Sequence, residues 1–446
     1  MTAPDLSSLR AEAARLLAAG EPQKAFAAFR PALEYPCSLT ASADWAAALS
    51  TFADLAKGLG GAAIAEKCAA AAGAPDDVDK LFAAAYELYE QSQYGSAAAL
   101  LARADALDPG KPKIVNELVS NLEALMLSAE ACKVLRASGV VDRDPLSAYL
   151  LGFNSAMAGD LATTRSLLPG LRAGVKNPQL GFMVDSLEGI LARADALQGA
   201  SKLDDRDLRG WHFVLNGALL LHLSPHGLAE PMRGRYAYVS DSYGLIHEGL
   251  ERAGAALKAA GIALASVTSP PGRSHEIVAA AAAQLLGVPR VAWEERAAKT
   301  PCLVAAYDLD ALGDLELMKV LRDHAPGQIL WAHASCWTNP FPFAPDLTTF
   351  LYQTNAAPWA EGRLQVDPDT KKLRPSAADE APIEDLAKRI VEAKAPPDSL
   401  ADTGALEELA RAAAKISGPH APGFARTEGQ RLRQRAGSPV PSAWFR

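Results

Sequence analysis

The sequence predicts an α-helical repeat domain followed by an α/β domain with a mostly parallel sheet, and three observations carry that reading. Residues 1–204 are rich in Ala and Leu, with apolar residues at three- and four-residue steps and brief Gly or Pro interruptions, the pattern of amphipathic helices. From about residue 205, short continuous apolar runs alternate with helix-like segments, as strands covered on both faces require. All eight histidines and six of the seven tryptophans lie beyond residue 210. The two parts are built from different stock.

The chain has 446 residues, which suits about three domains or fewer at roughly 150 residues each. With 49% hydrophobic and 22% charged residues, it has the composition of a folded protein. Its 44 Lys and Arg against 52 Asp and Glu leave a net charge of −8, which argues against a general nucleic-acid binder. No apolar run approaches the roughly 18 residues of a membrane helix, and the first residues lack a basic segment followed by an apolar core, so neither membrane insertion nor secretion is expected. Cys37, Cys68, Cys132, Cys302 and Cys336 are scattered, with no CxxC pair; free thiols in a reducing cytoplasm are the expectation.

In the first part, a helix is expected to end near Gln91 and a second to carry Ala97, Leu101 and Ala104 before Pro109 stops it. The pattern recurs as Gly20, Ala25, Phe29, Ala32 and Pro36, as Ala131 and Leu135, and as Tyr149, Gly152, Gly159 and Leu168. Units start near Val78, Pro112 and Pro145, 34 and 33 residues apart, while the stretch from Trp45 to Pro75 reads as off-period. Small residues at fixed positions let paired helices approach closely, and larger ones fill the space between pairs. The stretch resembles the tetratricopeptide repeat family, best in Val78–Asp108 with Ala85, Ala97, Ala104 and the terminal Pro109. That resemblance implies a solenoid whose concave face takes a peptide or partner protein. Support of the second part, or self-association, is the plainer reading of the same helices.

In the second part, WHFVL and ALLLHL flank Asn216-Gly217, a hairpin signal. Asp241-Ser242 is placed to cap a helix running to about Ala260. Strands are then expected at Ile262–Val267, Val288–Glu295, Pro301–Leu309 and Gln328–Ala334, with helices at His275–Leu286 and Asp314–His324. The α/β domain is expected to span 205–360, followed by a helical extension and Arg-rich tail, 361–446, packed on it, with Val440, Trp444 and Phe445 as apolar anchors.

Ligands of open α/β sheets bind beyond the carboxyl ends of the strands. There the chain offers Ser269, Gly272, Arg273 and Ser274 in a turn opening a helix, suited to a phosphate or carboxylate, or simply a Pro-rich turn with an N-cap. Asp308 and Asp310 end the next strand and are suited to sugar hydroxyls or Mg²⁺, or to solvation and capping. His333 and Cys336, three residues apart at a strand end, read as base and nucleophile or as two metal ligands, or as a buried histidine with a structural thiol. Arg233 and Arg235, around Gly234, form an anion-binding rim or an exposed turn. Arg426, Arg431, Arg433 and Arg435 against Glu428 read as a solvated tail, or as contacts to a phosphate-rich partner such as nucleic acid.

The segment Ser269–Ser274, the LLGVP stretch Leu285–Pro289 and the acidic pair resemble the phosphoribosyltransferase fold. The resemblance implies that Asp308 and Asp310 hold ribose hydroxyls; the Thr/Gly-rich phosphate loop expected after them is replaced by Ala311-Leu-Gly-Asp314. No metal site and no cofactor is evident, Mg²⁺ entering only with a nucleotide or sugar phosphate. The expectation is a cytoplasmic, soluble adaptor or scaffold whose repeats recruit a partner and whose α/β domain binds a second protein or small ligand. The alternative is an enzyme acting on a nucleotide or sugar phosphate through Asp308, Asp310, Arg273 and His333.

Overall fold

Helix-forming composition and a turn chemistry that repeats five times build the first half of the molecule. The computed structural model describes residues 5–176, 178–339, 341–366, 370–434 and 437–442. The chain divides into two units, residues 5–187 and 188–434, the boundary falling inside one helix. The first unit pairs α1 (Leu6–Ala18) with α2 (Pro22–Phe29), α3 (Ser42–Gly58) with α4 (Ala62–Ala72), and α5 (Val78–Glu90) with α6 (Tyr94–Leu107). α7 (Pro112–Ala124) then pairs with α8 (Ser128–Ser138), and α9 (Pro145–Met157) with α10 (Leu161–Ala173). Pairs begin at Leu6, Ser42, Val78, Pro112 and Pro145, so the interval is 33–36 residues throughout. The stretch from Trp45 to Pro75, which reads as off-period, is α3 and α4 and keeps step.

Each pair turns on the same bond, an N–H reaching back five residues to a carbonyl. Glu21 donates to Leu16, Gly61 to Ala56, Gln93 to Leu88, Leu127 to Leu122 and Asp160 to Ser155, at 2.8–3.0 Å. The residue before each donor is left-handed: Gly20, Gly60, Ser92, Met126 and Gly159, with φ between 58° and 86°. This is a helix-stop motif that favours Gly. Ser92 and Met126 adopt it with a Cβ present, which costs about 1–2 kcal/mol each. Small residues fill the helix contacts: Ala84, Ala85, Ala97, Ala98, Ala99, Ala104 and Ala131 are wholly buried.

α11 (Pro178–Ala196) contains the boundary, and α12 (Leu208–Asn216) follows within the second unit. The WHFVL run is therefore helical, capped by Asp207, whose side chain accepts from the Gly210 N–H. Asn216-Gly217 is not a hairpin turn: Gly217, with φ 70°, ends the helix. Leu208, Trp211, Val214 and Leu215 bury one stripe at helical spacing, and that period overrides the dipeptide.

The sheet consists of β1 (Leu219–Leu220), β2 (Tyr236–Ser240), β3 (Ser266–Thr268), β4 (Cys302–Asp308), β5 (Gln328–Cys336) and β6 (Leu347–Ala356), all parallel. Their order is β1-β6-β5-β4-β3, with β2 beside the distal half of β6. Between the strands run α13 (Tyr243–Ala259), α14 (Arg273–Leu286) and α15 (Leu315–Arg322). Ser242 caps α13 through the Leu245 N–H, and Asp314 caps α15. β7 (Leu364–Val366) and β8 (Leu373–Pro375) form a small antiparallel ribbon. α16 (Ile383–Glu392) then packs on α13 and α14, and α17 (Thr403–Ala413) packs on α13.

Further expectations are corrected. Val288–Glu295 makes only a single bridge, Arg290 to Val267, before a 3-10 turn at Trp293–Glu295. No strand is expected at Leu347–Ala356, yet β6 forms there, paired with β5 on one side and with β1 and β2 on the other. The Arg tail is not solvated at Arg431: that side chain is 5% exposed and holds Asp346 through two bonds of 2.9 and 2.7 Å. Its Nη1 donates to the Leu321 and Asp323 carbonyls. Arg435, Trp444 and Phe445 lie outside the described residues. A second buried network joins α12, α13 and residues 399–402. Arg252 donates to Glu248 at 2.6 Å, to the Leu400 carbonyl at 2.7 Å and to Asp402, while Arg209 reaches Asp402 at 2.7 Å.

Replacing Met126 with Gly is expected to stabilise the chain by about 0.5–1 kcal/mol in urea denaturation, because the left-handed turn no longer carries a Cβ. Gly159→Ala is expected to lose about 1 kcal/mol. A Met126→Gly variant less stable than wild type contradicts the shared turn.

Candidate functional site

Parallel strands place their carboxyl ends along one edge of the sheet, and most candidate groups gather there. Asp308 ends β4 and is 8% exposed. Its Oδ1 accepts the Asp310 N–H at 3.1 Å and its Oδ2 accepts the Tyr352 hydroxyl from β6. The same hydroxyl lies 3.5 Å from Asp310 Oδ2, which also accepts the Cys336 N–H at 3.2 Å. The two predicted acids thus meet at one tyrosine. Burial pushes the Asp308 carboxyl up to about 7, against the Tyr352 hydrogen bond and with help from the Asp310 charge. Burial also raises Asp310, while the Arg433 charge lowers it. The pair can hold a proton near neutrality.

His333 is not with these acids. It is 0% exposed, its Nε2 lies 3.2 Å from Asp241 Oδ2 outside hydrogen-bond geometry, and both ring nitrogens lack a hydrogen-bond partner. Tyr307 donates to the same Asp241 oxygen at 2.7 Å and accepts from Asn355 at 3.1 Å. Burial, together with the Asp241 charge, holds the Tyr307 hydroxyl well above its ordinary value. Cys336 turns elsewhere, its Sγ 3.3 Å from Thr338 Oγ1, so His333 and Cys336 do not form a pair.

The turn after β3 divides. Thr268, Ser269, Pro271, Glu276, Arg290 and Trp293 line an open cleft of about 460 Å³, with Glu276 and Arg290 3.6 Å apart. Arg273 instead donates to the Asp379 and Ala381 carbonyls at 3.0 and 2.6 Å, and Ser274 accepts the Trp359 indole N–H at 2.9 Å. Gly272, with φ 134°, caps α14 where a Cβ would meet the His275 ring.

Arg233 and Arg235 part company as well. Arg233 pairs with Asp205 and Glu230. Arg235 is 4% exposed, and its guanidinium lies 5.0 Å from the Trp337 ring centroid.

Sequence reasoning missed Asp241 as more than a cap, and missed Tyr307, Tyr352 and Asn355. Asp241 and Asn355 stand at or beside the ends of β2 and β6, whose short or aromatic runs conceal the strand signal. Among the described residues no group of three or more His, Cys, Asp or Glu gathers as a metal site, and no helix is long and apolar enough to cross a membrane.

No protein-family model and no curated protein matches the sequence. Among solved structures, a mutant of the O-GlcNAc transferase of Thermobaculum terrenum matches at 16% identity with a TM-score of 0.20. The match covers 67% of this chain and spans 54% of that one, and at that TM-score it bears on neither fold nor function.

Because burial holds the Asp308 carboxyl near 7 in the folded chain, well above its ordinary value of 3.8, the native state holds the extra proton between those values. Stability therefore falls as pH rises from about 4 to 7 and stays lowered above it. Asp308→Asn is expected to raise the thermal midpoint at pH 8 and to leave it unchanged near pH 3.5. An equal shift at both pH values contradicts the assignment.

Proposed function

We propose that the chain is an adaptor: its helical pairs, which resemble tetratricopeptide repeats, dock a partner segment, and its α/β domain is a second binding module. The observation that carries this reading is an aromatic stripe on α5. Leu81, Ala84, Ala85 and Leu88 are the buried face of that helix, whereas Phe82, Tyr86 and Tyr89 follow at four- and three-residue steps on another face. Tyr86 is 53% exposed. These rings lie against Ala85, Leu101, Glu117 and Asn121 around a crevice with no room for a water molecule, and the Lys113 ammonium sits 4.2 Å from the Phe82 centroid.

The stripe commits to a chemistry. Glu117 stands beside the rings and Glu90 adds its charge near Tyr89, so the favoured occupant is a protein segment with an apolar or aromatic anchor flanked by Lys or Arg. Aromatic rings bring large contact area at small entropic cost, and the carboxylates favour basic flanks. The binding role of the α/β domain is supported by how its polar groups are engaged. Arg273 grips carbonyls, His333 is wholly buried, and Asp308 and Asp241 each hold a tyrosine. A second reading, an enzyme acting on a nucleotide or sugar phosphate, is favoured by the Asp308–Asp310 pair with its raised carboxyls.

Fluorescence polarisation of the full chain against synthetic peptides with Leu or Phe anchors and either basic or acidic flanks tests the adaptor reading. The basic set is expected to bind, and Tyr86→Ala with Phe82→Ala to weaken it at least tenfold. Equal binding of both sets, or no effect of the paired substitution, overturns it. Saturable stabilisation by a nucleotide or sugar phosphate that Asp308→Ala abolishes would favour the enzyme.

A further inference from the structure

Arg235 is a buried cation in residues 188–434 that lacks a carboxylate partner among the described residues. Arginine keeps its charge under all ordinary conditions, so a guanidinium removed from water needs a counter-ion or a full set of acceptors. Arg235 is 4% exposed, its Nη1 is buried without a hydrogen-bond partner, and no carboxylate pairs with it among the described residues. Burial alone pulls its pKa down to about 9. Other buried arginines of this unit are answered: Arg431 by Asp346, Arg252 by Glu248 and Asp402, Arg209 by Asp402, and Arg193, likewise without a carboxylate among the described residues, by the Val214 and Leu215 carbonyls.

The surroundings repeat the imbalance. Trp337 lies under the guanidinium, and its Nε1 is buried with no acceptor. His212, on α12, has a buried Nε2 with no partner. It is held neutral, first by burial and then by the charges of Arg433 and Arg235, which bring it to about 3. Register separates Arg235 and Trp337 by only two rungs: Tyr236 and Cys336 both pair with Tyr352 in parallel strands, so Arg235 stands one residue before that rung and Trp337 one residue after it, on either side of β6. The placement of Arg235 is deliberate in the backbone. Arg233 and Gly234 both take positive φ, 48° and 92°, and the Gly234 carbonyl accepts the Ser224 N–H at 2.9 Å.

We propose that Arg235, Trp337 and His212 form a receptor for the oxyanion of a small anionic ligand, a phosphate or a carboxylate. The guanidinium is its counter-ion, and the two ring N–H groups are further donors, His212 carrying its proton on Nε2. A planar guanidinium accepts either oxyanion through two parallel bonds, and stacking on Trp337 holds the fork in one orientation. Arg433 adds a second positive charge, with Asp310 as its carboxylate neighbour. The site is independent of the α5 stripe, so either reading can fail without the other.

Thermal denaturation of the full chain, with sodium phosphate, sodium acetate or sodium chloride at matched ionic strength, tests the receptor. At least one of the two oxyanions is expected to raise the midpoint saturably, and chloride to leave it flat; the stronger of the two identifies the ligand class. Arg235→Met is expected to weaken that response at least tenfold while leaving the midpoint without anion unchanged or higher, since it removes an unpaired buried charge. Trp337→Phe keeps a ring under the guanidinium but removes the N–H, and is expected to weaken the response severalfold. It decides the matter if Arg235→Met does not fold. Arg233→Met, whose charge is already paired, is expected to keep the wild-type response. A response that survives both Arg235→Met and Trp337→Phe, or no saturable response to either oxyanion, overturns the proposal.

Discussion

The second unit depends on one buried carboxylate. Asp346 stands at the foot of β6, is 1% exposed, and binds Arg431 through both oxygens while its Oδ2 accepts the Leu330 N–H at 2.8 Å. One side chain therefore fixes the start of β6, the flank of β5 and the returning C-terminal segment. Gly423 passes so close that a Cβ there would collide with Asp346, and the His324 N–H reaches the Gly429 carbonyl at 2.8 Å. Removing one member of such a pair strands the other as a buried charge, which is far costlier than the pair is stabilising. Arg252, Glu248 and Asp402 apply the same logic to residues 399–402.

That economy of charge explains what the α/β domain offers to ligands. Groups that look chemically active in a list of residues are mostly engaged in joining segments, as Arg273 and Arg431 are. What is left over is small and specific: an acid pair sharing a tyrosine, an open cleft after β3, and an arginine with no counter-ion. The helical unit contributes differently, through a ring-lined face instead of charge.

Legibility in the sequence follows the range of the forces involved. The helical pairs were readable because period and turn are local; the left-handed residue is Gly in three of five turns, and the Ser92 and Met126 turns still sit at the right step. Asn216-Gly217 misled because the same left-handed glycine serves a helix end and a hairpin, and only the stripe of Leu208, Trp211 and Leu215 separates them. β6 was hidden by its polar interior, Thr348 and Thr349, and by the Pro-rich approach to it; its strand character comes from pairing on both sides. For the site, Asp308 and Asp310 were visible at a strand end, but their partner Tyr352 comes from β6 and could not be. Arg233 and Arg235 looked equivalent, and only burial tells the paired one from the unpaired one.

The most direct test of this account is a double-mutant cycle on Asp346→Asn and Arg431→Met, read by urea denaturation of the full chain. If buried charge is what fastens the C-terminal segment to the sheet, each single change is expected to lose about 3–5 kcal/mol. The double mutant should then recover part of it, with a coupling of about 2–3 kcal/mol. Losses that simply add, to within about 0.5 kcal/mol, would contradict it.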